Sequence, residues 1–406
     1  MTDYIAIRHN LHEHPQTAGN EQYARDTIVK HLQGLHPDKV YTHVGGYGVI
    51  AVWEGVGHQD IKTSRHQDDG SQSLEDSKTR SLQYPTIAFR ADTDALSIGH
   101  RCGHDGHTTI LLRLAELVDG QRVNRSTSQR ETDAGLVDSL TCRLVDSNIL
   151  LLWQPAEETG EGARAVIESG ILQQYNIKAI YGLHNLPGYP LGTVVLCPHT
   201  FAAASTGVVY HLDGRETHAS TPELGVNPGL AIAEIIDGFD GLNGKDGEFR
   251  QSTLICVRVG EPAFGTSAGH GEVMFTLRAF TNDAMKRLLV DANNTVDVIA
   301  ARYGLTVSRT LVEPFRATEN NPECVGKIRE AIKLNTDHYT LHTKEMPFRW
   351  SEDFAEYLLH WPGAMFGIGS GERQPELHRP DYDFPDELVE PAAQLFLKIY
   401  QSFSPA

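Results

Sequence analysis

Four apolar segments of this chain each run directly into side chains that can carry a proton or hold a metal, and that recurrence limits the fold more than any other feature. Thr86–Arg90 leads into Ala91-Asp92-Thr93-Asp94, and Asn148–Trp153 into Gln154-Pro155-Ala156-Glu157-Glu158. Lys178–Leu183 ends at His184-Asn185, and Ala364–Gly369 precedes Glu376-Leu377-His378-Arg379-Pro380. Residues 108–118 and 162–169 read as helices, the second closed by Gly170. Strands alternating with helices predict a mainly parallel α/β sheet flanked by helices. Ligands in such sheets bind beyond the carboxyl ends of the strands, so the polar groups are expected along one edge.

Between residues 202 and 312 the rhythm changes. Segments 207–212, 253–259, 272–280 and 306–311 read as strands, with helices over 228–239 and 283–303. This βαββαβ order is the α+β ferredoxin-like pattern. His378 belongs with the earlier strand ends and comes after this block, which predicts an insertion. The expected division is a catalytic domain over 1–201 and 313–406, interrupted by a second domain over 202–312. Residues 3–35 read as a helix pair with Ile5, Leu11, Ile28, Leu32 and Leu35 facing inward. The first helix stops at Pro15, so His12 and His14 are read as helix-end residues. Segment 57–83 is polar, lacks apolar periodicity and is expected to be an exposed insertion; 120–146 is similar though less polar, with a short helix or hairpin as a further reading. Ser351-Glu352-Asp353-Phe354 opens a helix in capping style.

Composition narrows the function. A net charge of −18 over 406 residues argues against a nucleic-acid or anionic-membrane binder. No apolar run approaches the ~18 residues of a membrane span. The N-terminus has no basic region followed by an apolar core, and the five cysteines are odd in number and widely spaced. Both features predict a cytoplasmic, reducing location.

Cys102-Gly103-His104-Asp105-Gly106-His107 places a thiol, two imidazoles and a carboxylate in six residues. One such loop is half a site, because a structural zinc needs about four protein ligands. The expected set is Cys102, His104, Glu158, His184 and His378. Thiolate, imidazole and carboxylate together suit zinc or manganese, then cobalt or nickel, better than magnesium or calcium. Five donors exceed one tetrahedral ion, which predicts two divalent metals sharing a bridging group. Of the tandem glutamates Glu157 and Glu158, one coordinates and the other stays free as general base. Asp92 or Asp94 is expected to orient a ligand imidazole. Asp105 is read as a helix cap or a hydrogen-bond partner behind the ligands, and His107 as facing the site without coordinating.

Phe89–Leu96, Cys102–Thr108, Trp153–Glu158, Leu183–Asn185, Ser351–Phe354 and Leu377–Pro380 resemble, in order, the blocks of the amidohydrolase branch of the aminoacylase/carboxypeptidase two-metal metallopeptidases. The resemblance implies hydrolysis of N-acyl-amino acids or related small amides by metal-activated water, with Glu157 as base and proton shuttle. It also implies that the inserted domain is a lid that forms a homodimer. That lid would supply His218, from Gly214-Arg215-Glu216-Thr217-His218, to hold substrate and the developing oxyanion. Arg278 would face the substrate carboxylate, and Asp94 joins Glu157 and His218 in the expected catalytic set. Two departures from the family pattern are visible: a link of only Ser97–Arg101 before the Cys-Gly-His-Asp block, and Gly260–Gly271 in place of an asparagine-containing turn. A dipeptidase or exopeptidase using the same site, or a non-catalytic metal- or ligand-binding relative, is the alternative reading.

Overall fold

The computed structural model describes residues 3–55, 84–131, 147–244, 248–333 and 339–403. It forms two compact units, one of residues 1–199, 320–345 and 356–406, the other of 200–319 and 346–355.

The first unit is built on an eight-stranded sheet. Its strands are β1 (Lys39–Val44), β2 (Gly48–Trp53), β3 (Pro85–Asp92), β4 (Asn148–Gln154), β5 (Asn176–Pro187), β6 (Val194–Leu196), β13 (Leu341–Thr343) and β14 (Gly363–Gly371), in the spatial order β1-β2-β4-β3-β5-β14-β6-β13. The four central strands, β4-β3-β5-β14, are parallel and are the four segments singled out above. β4 is buried along its whole length and β3 nearly so, as expected of parallel strands covered on both faces. On one face Phe89, Leu151, Tyr181 and Phe366 share a core with helices α3 (His104–Glu131), α7 (Pro322–Lys333) and α8 (Val389–Gln401).

Three local expectations change. β5 runs to Pro187, so His184 and Asn185 lie inside the strand. Pairing to β3 ends at Arg90↔Gly182 while pairing to β14 continues, so His184 lies two residues beyond the last β3–β5 pair. Helix α3 continues past Val118 to Glu131, absorbing the start of the expected second insertion. The polar residue there, Asp119, is buried and accepts from Trp53 Nε1 at 3.1 Å and from the His36 amide at 2.8 Å, so it marks an anchor rather than a stop. The rest of that segment and all of 57–83 lie outside the described residues. In helix α1 (Tyr4–Glu13), capped by Asp3, the buried positions are Arg8 and Leu11, whereas Ile5 is exposed. Helix α2 (Gln22–Leu32) buries Ala24, Ile28 and Leu32.

The second unit holds β7 (Ala204–Asp213), α5 (Gly229–Asp240), β9 (Arg250–Val259), β11 (His270–Ala279), α6 (Asn282–Tyr303) and β12 (Thr306–Phe315). Its sheet is antiparallel throughout, in the order β12-β7-β11-β9, which is the ferredoxin-like arrangement. Even-numbered residues of β7 and odd-numbered residues of β11 pack against the two helices. Gly304, at φ +70°, ends α6 in the left-handed conformation that favours glycine. Residues 346–355 join this unit because Phe348 and Trp350 pack around Phe201, and the Ala203 amide donates to the carbonyls of both. Ser351–Phe354 therefore belongs here, and Asp353–Leu359 is a 3-10 turn rather than an α-helix.

Candidate metal centre

Cys102 sits on the loop entering α3, shaped by two glycines. Gly103 has φ +95°, and a Cβ there would meet Asn185 Oδ1 at 2.7 Å; one on Gly106 would strike the Phe384 ring at 2.3 Å. A side chain at either position would force Asn185 or Phe384, or the loop itself, to shift. The buried Cys102 Sγ lies 3.3 Å from His378 Nε2 and 3.7 Å from His184 Nε2. His104 Nε2 is 3.9 Å from both Glu157 Oε2 and Glu158 Oε1, and His378 Nε2 is 4.0 Å from Glu158 Oε1. Cys102, His104 and His184 form one compact donor group, and Cys102, Glu158 and His378 another, with the thiol common to both.

Each imidazole is aimed from behind. His104 Nδ1 donates to the Asp94 carbonyl at 2.9 Å, which turns Nε2 inward. His184 Nδ1 donates to the Asn185 carbonyl at 2.9 Å with the same effect. Asp94 Oδ2 accepts the Glu158 amide at 3.0 Å, so Asp94 positions two expected ligands at once. Asp92 takes a different place. Its carboxylate receives Arg90 Nη1 at 2.6 Å and His107 Nδ1 at 2.5 Å, with His104 Nε2 3.8 Å away. The other nitrogen of His107 is 2.5 Å from Asn185 Oδ1, so both are engaged and this ring braces the centre.

Backbone strain concentrates at the same place. Among the described residues, four besides glycine have positive φ, and two of them are Ala156 at 54° and His378 at 66°. Such conformations cost about 1–3 kcal/mol each and persist where the surroundings impose them. Around Ala156 the constraint is Glu21, a buried carboxylate accepting the Ala156 amide at 2.9 Å. For His378, the backbone amide is held by the Arg101 carbonyl at 2.8 Å.

Burial works against charge on these groups. It pushes the Cys102 thiol well above its ordinary pKa and, with His107 beside it, pushes His184 down to about 3. His184 is thus a neutral donor at physiological pH. Burial also opposes a charge on His104, but Asp92 and Cys102 outweigh it and raise that group well above 6.5. Among the described residues the buried His104 Nε2 and Glu158 Oε1 have no hydrogen-bond partner, and such orphaned inward-facing atoms are what a coordinated ion satisfies. The donor set fits a divalent metal of the zinc type.

A sequence model of the family described as peptidase family M20/M25/M40 matches residues 138–402. The chain belongs to that family. It is a metal-dependent amidohydrolase. N-acetylcysteine deacetylase of Bacillus subtilis (strain 168) is 25% identical over 98% of this M20 chain and 96% of its own length. N-acetyldiaminopimelate deacetylase of Lactobacillus helveticus (strain DPC 4571) is 26% identical over 95% and 93%. The crystal structure of Bacillus subtilis YXEP protein, described as a dinuclear metal binding peptidase from the M20 family, shares this fold. It superposes with a TM-score of 0.74 at 23% identity, covering 98% of this chain and 96% of its own.

The expected ligands Cys102, His104, Glu158, His184 and His378, with Glu157 and Asp94, are brought together in the first unit of this M20 chain. His218 and Arg278 belong to the second unit. His218 lies in the two-residue strand β8 (Thr217–His218), paired with β10 (Thr266–Ser267). The departing segment Gly260–Gly271 thus supplies the partner strand of His218. The Ser220 amide donates to His218 Nδ1 at 3.1 Å, which leaves the ring proton on Nε2. Arg278 Nη1 donates to the Arg349 carbonyl at 2.7 Å and to Ser351 Oγ at 3.1 Å.

Reasoning from sequence missed the residues behind the loop. Asp105 is buried in the first turn of α3 and accepts from Arg8 Nη1 at 3.1 Å and His12 Nδ1 at 2.8 Å. It is a partner behind the ligands, and His12 is more than a helix-end residue. Arg8 was detectable in principle: it occupies the same helical stripe as Tyr4, Ile7 and Leu11, where a charge signals a buried partner. Glu21 carried no comparable signal.

Proposed function

We propose that this M20 hydrolase cleaves the amide bond of N-acyl-amino acids or related small amides, with Cys102, His104, Glu158, His184 and His378 holding two divalent metals and Glu157 as general base. One observation carries the reading: Glu157, which is buried, approaches His104 Nε2 to the same 3.9 Å as the expected ligand Glu158. The two compact donor groups sharing Cys102 support a pair of ions, with zinc or manganese suiting the donors best. When bound, such ions supply Lewis acidity and lower the pKa of a nearby water from 15.7 towards about 7. Glu157 takes the proton of the attacking water and returns it to the nitrogen of the leaving amine, so the products are a carboxylate and a free amine. Asp94 keeps His104 and the Glu158 backbone in register. His218, its proton on Nε2, is suited to donate to the developing oxyanion, and Arg278 to meet a substrate carboxylate.

The deacetylase names of the similar proteins support an N-acyl-amino acid as substrate. A homodimer formed through the second unit and a cytoplasmic location complete the reading; no described helix is long and apolar enough to cross a membrane. The test is a panel of N-acyl-amino acids and dipeptides offered to protein reconstituted with zinc or manganese. Turnover of acyl-amino acids that falls by about 10²–10⁴ in Glu157→Gln, with substrate binding retained, is the expected result. Turnover of dipeptides alone would assign the site to a peptidase. An unchanged rate in Glu157→Gln would remove Glu157 from its role.

A further inference from the structure

We propose a separate transition-metal site on the helix-free face of the second unit's sheet, formed by His211, His270 and Glu272 with Asp213 behind it. β7 and β11 pair here with His270 opposite Asp213 and Glu272 opposite His211. All four residues fall on the alternation that points away from α5 and α6, so they share one face. His211 Nδ1 lies 3.0 Å from Glu272 Oε1, and His270 Nε2 lies 3.9 Å from the same oxygen. The donor atoms of the three residues lie within 4.8 Å of one another. Ligand atoms around a tetrahedral zinc stand about 3.3 Å apart, given metal–nitrogen bonds of about 2.0–2.1 Å. The observed separations bracket that value without an ion, so small rotamer adjustments bring the three donors into contact with one.

Two features distinguish the cluster from an ordinary patch of surface charge. His270 Nδ1 donates to Asp213 Oδ1 at 2.7 Å, which places the lone pair on Nε2 and aims it at Glu272. This carboxylate–histidine relay is the arrangement that orients metal-bound imidazoles. Arg258 Nη1 is 3.4 Å from Glu272 Oε2, while Oε1 is turned towards the two imidazoles. Two imidazoles and one carboxylate oxygen select zinc, nickel or copper over magnesium and calcium. With side chains 20–52% exposed, the three donors leave further coordination positions open to solvent. An ion here would tie β7 to β11 and stabilise the sheet. The site is distinct from Arg278, which is six residues further along β11, roughly 20 Å at ~3.4 Å per residue.

The experiment uses the full chain with its hydrolytic centre saturated, dialysed against buffered zinc and counted by elemental analysis. Wild type is expected to hold one more zinc per chain than His211→Ala or His270→Ala, while all three hydrolyse substrate at the same rate. Asp213→Asn should weaken the extra zinc about 10–100-fold, as loss of an orienting carboxylate does. On wild type alone, substoichiometric zinc should shift the imidazole NMR signals of His211 and His270 together, which decides the matter even if a variant fails to fold. Equal zinc content in wild type and variants, unshifted imidazole signals, or magnesium competing on equal terms with zinc would each overturn the proposal.

Discussion

Arg8 Nη1 donates to Asp105 Oδ2 at 3.1 Å, an ion pair 97 residues apart in the chain with side chains 2% and 0% exposed. The same guanidinium reaches Asp383 at 2.6 Å and Asp386 at 2.5 Å. Asp105 follows His104, and Asp383 lies five residues after His378, so one arginine on α1 fastens two of the four segments proposed to bring ligands to the centre. Removing one partner of a buried pair costs about 3–5 kcal/mol. Arg8→Met should lose stability of that order on urea denaturation and give up its metals faster on dialysis. Arg8→Lys should recover only part, because an ammonium cannot reproduce the guanidinium fork. A Met variant within about 1 kcal/mol of wild type, with unaltered metal retention, would show that the clasp is incidental.

His218→Ala should lower kcat by roughly 10²–10³, the loss typical of one oxyanion donor. The hydrolytic centre should keep its full metal content, because the proposed ligands all lie in the first unit. Metal loss in this variant would contradict the role given to His218.

Ala156→Gly tests the strain next to Glu157, the proposed base. A left-handed conformation costs a non-glycine residue about 1–2 kcal/mol, and glycine in turn loses about 0.5–1 kcal/mol more entropy on folding. The variant should therefore be neutral or up to about 1 kcal/mol more stable, measured by denaturation. Destabilisation beyond about 1 kcal/mol would mean that the Ala156 methyl packs in a way the backbone does not reveal.

Glu21 has a pH signature. Burial, opposed by its hydrogen bonds from backbone amides, raises its carboxyl above the ordinary 4.5. The folded protein then holds this proton more tightly than the unfolded chain. The contribution of Glu21 to stability is full below about 4.5 and is lost as pH rises through the folded value. Glu21→Gln keeps an oxygen for the Ala156 and Gly19 amides without the charge. It should match wild type at pH 4 and exceed it at pH 7 in denaturation midpoint. Parallel stability profiles for the two proteins would rule this out.

Part of the proposed centre was legible because some of its residues are encoded with their strands: Glu157 and Glu158 follow β4 by three and four residues, and His184 lies near the end of β5. His378 follows β14 by seven residues, and Cys102 and His104 follow β3 by ten and twelve, so their convergence on the same edge depends on the fold. The ferredoxin-like order of the second unit was legible as well. The short link Ser97–Arg101 was visible too, but not the hydrogen bond that its Arg101 carbonyl accepts from the His378 amide. The end of α3 was misplaced because Asp119 is a buried acceptor that resembles a solvated break.

Local order in sequence determined which segments are strands, that the central ones are parallel, and which donors each delivers. Periodicity and residue type act over a few residues, so those features are written locally. Only the tertiary structure decided what lies behind the donors: Arg8 on Asp105, Glu21 on Ala156, Asn185 beside His107, and His211 across from Glu272. These pairs join positions 61 to 135 residues apart. Their contact depends on sheet order, register and burial, none of which any short stretch of sequence contains.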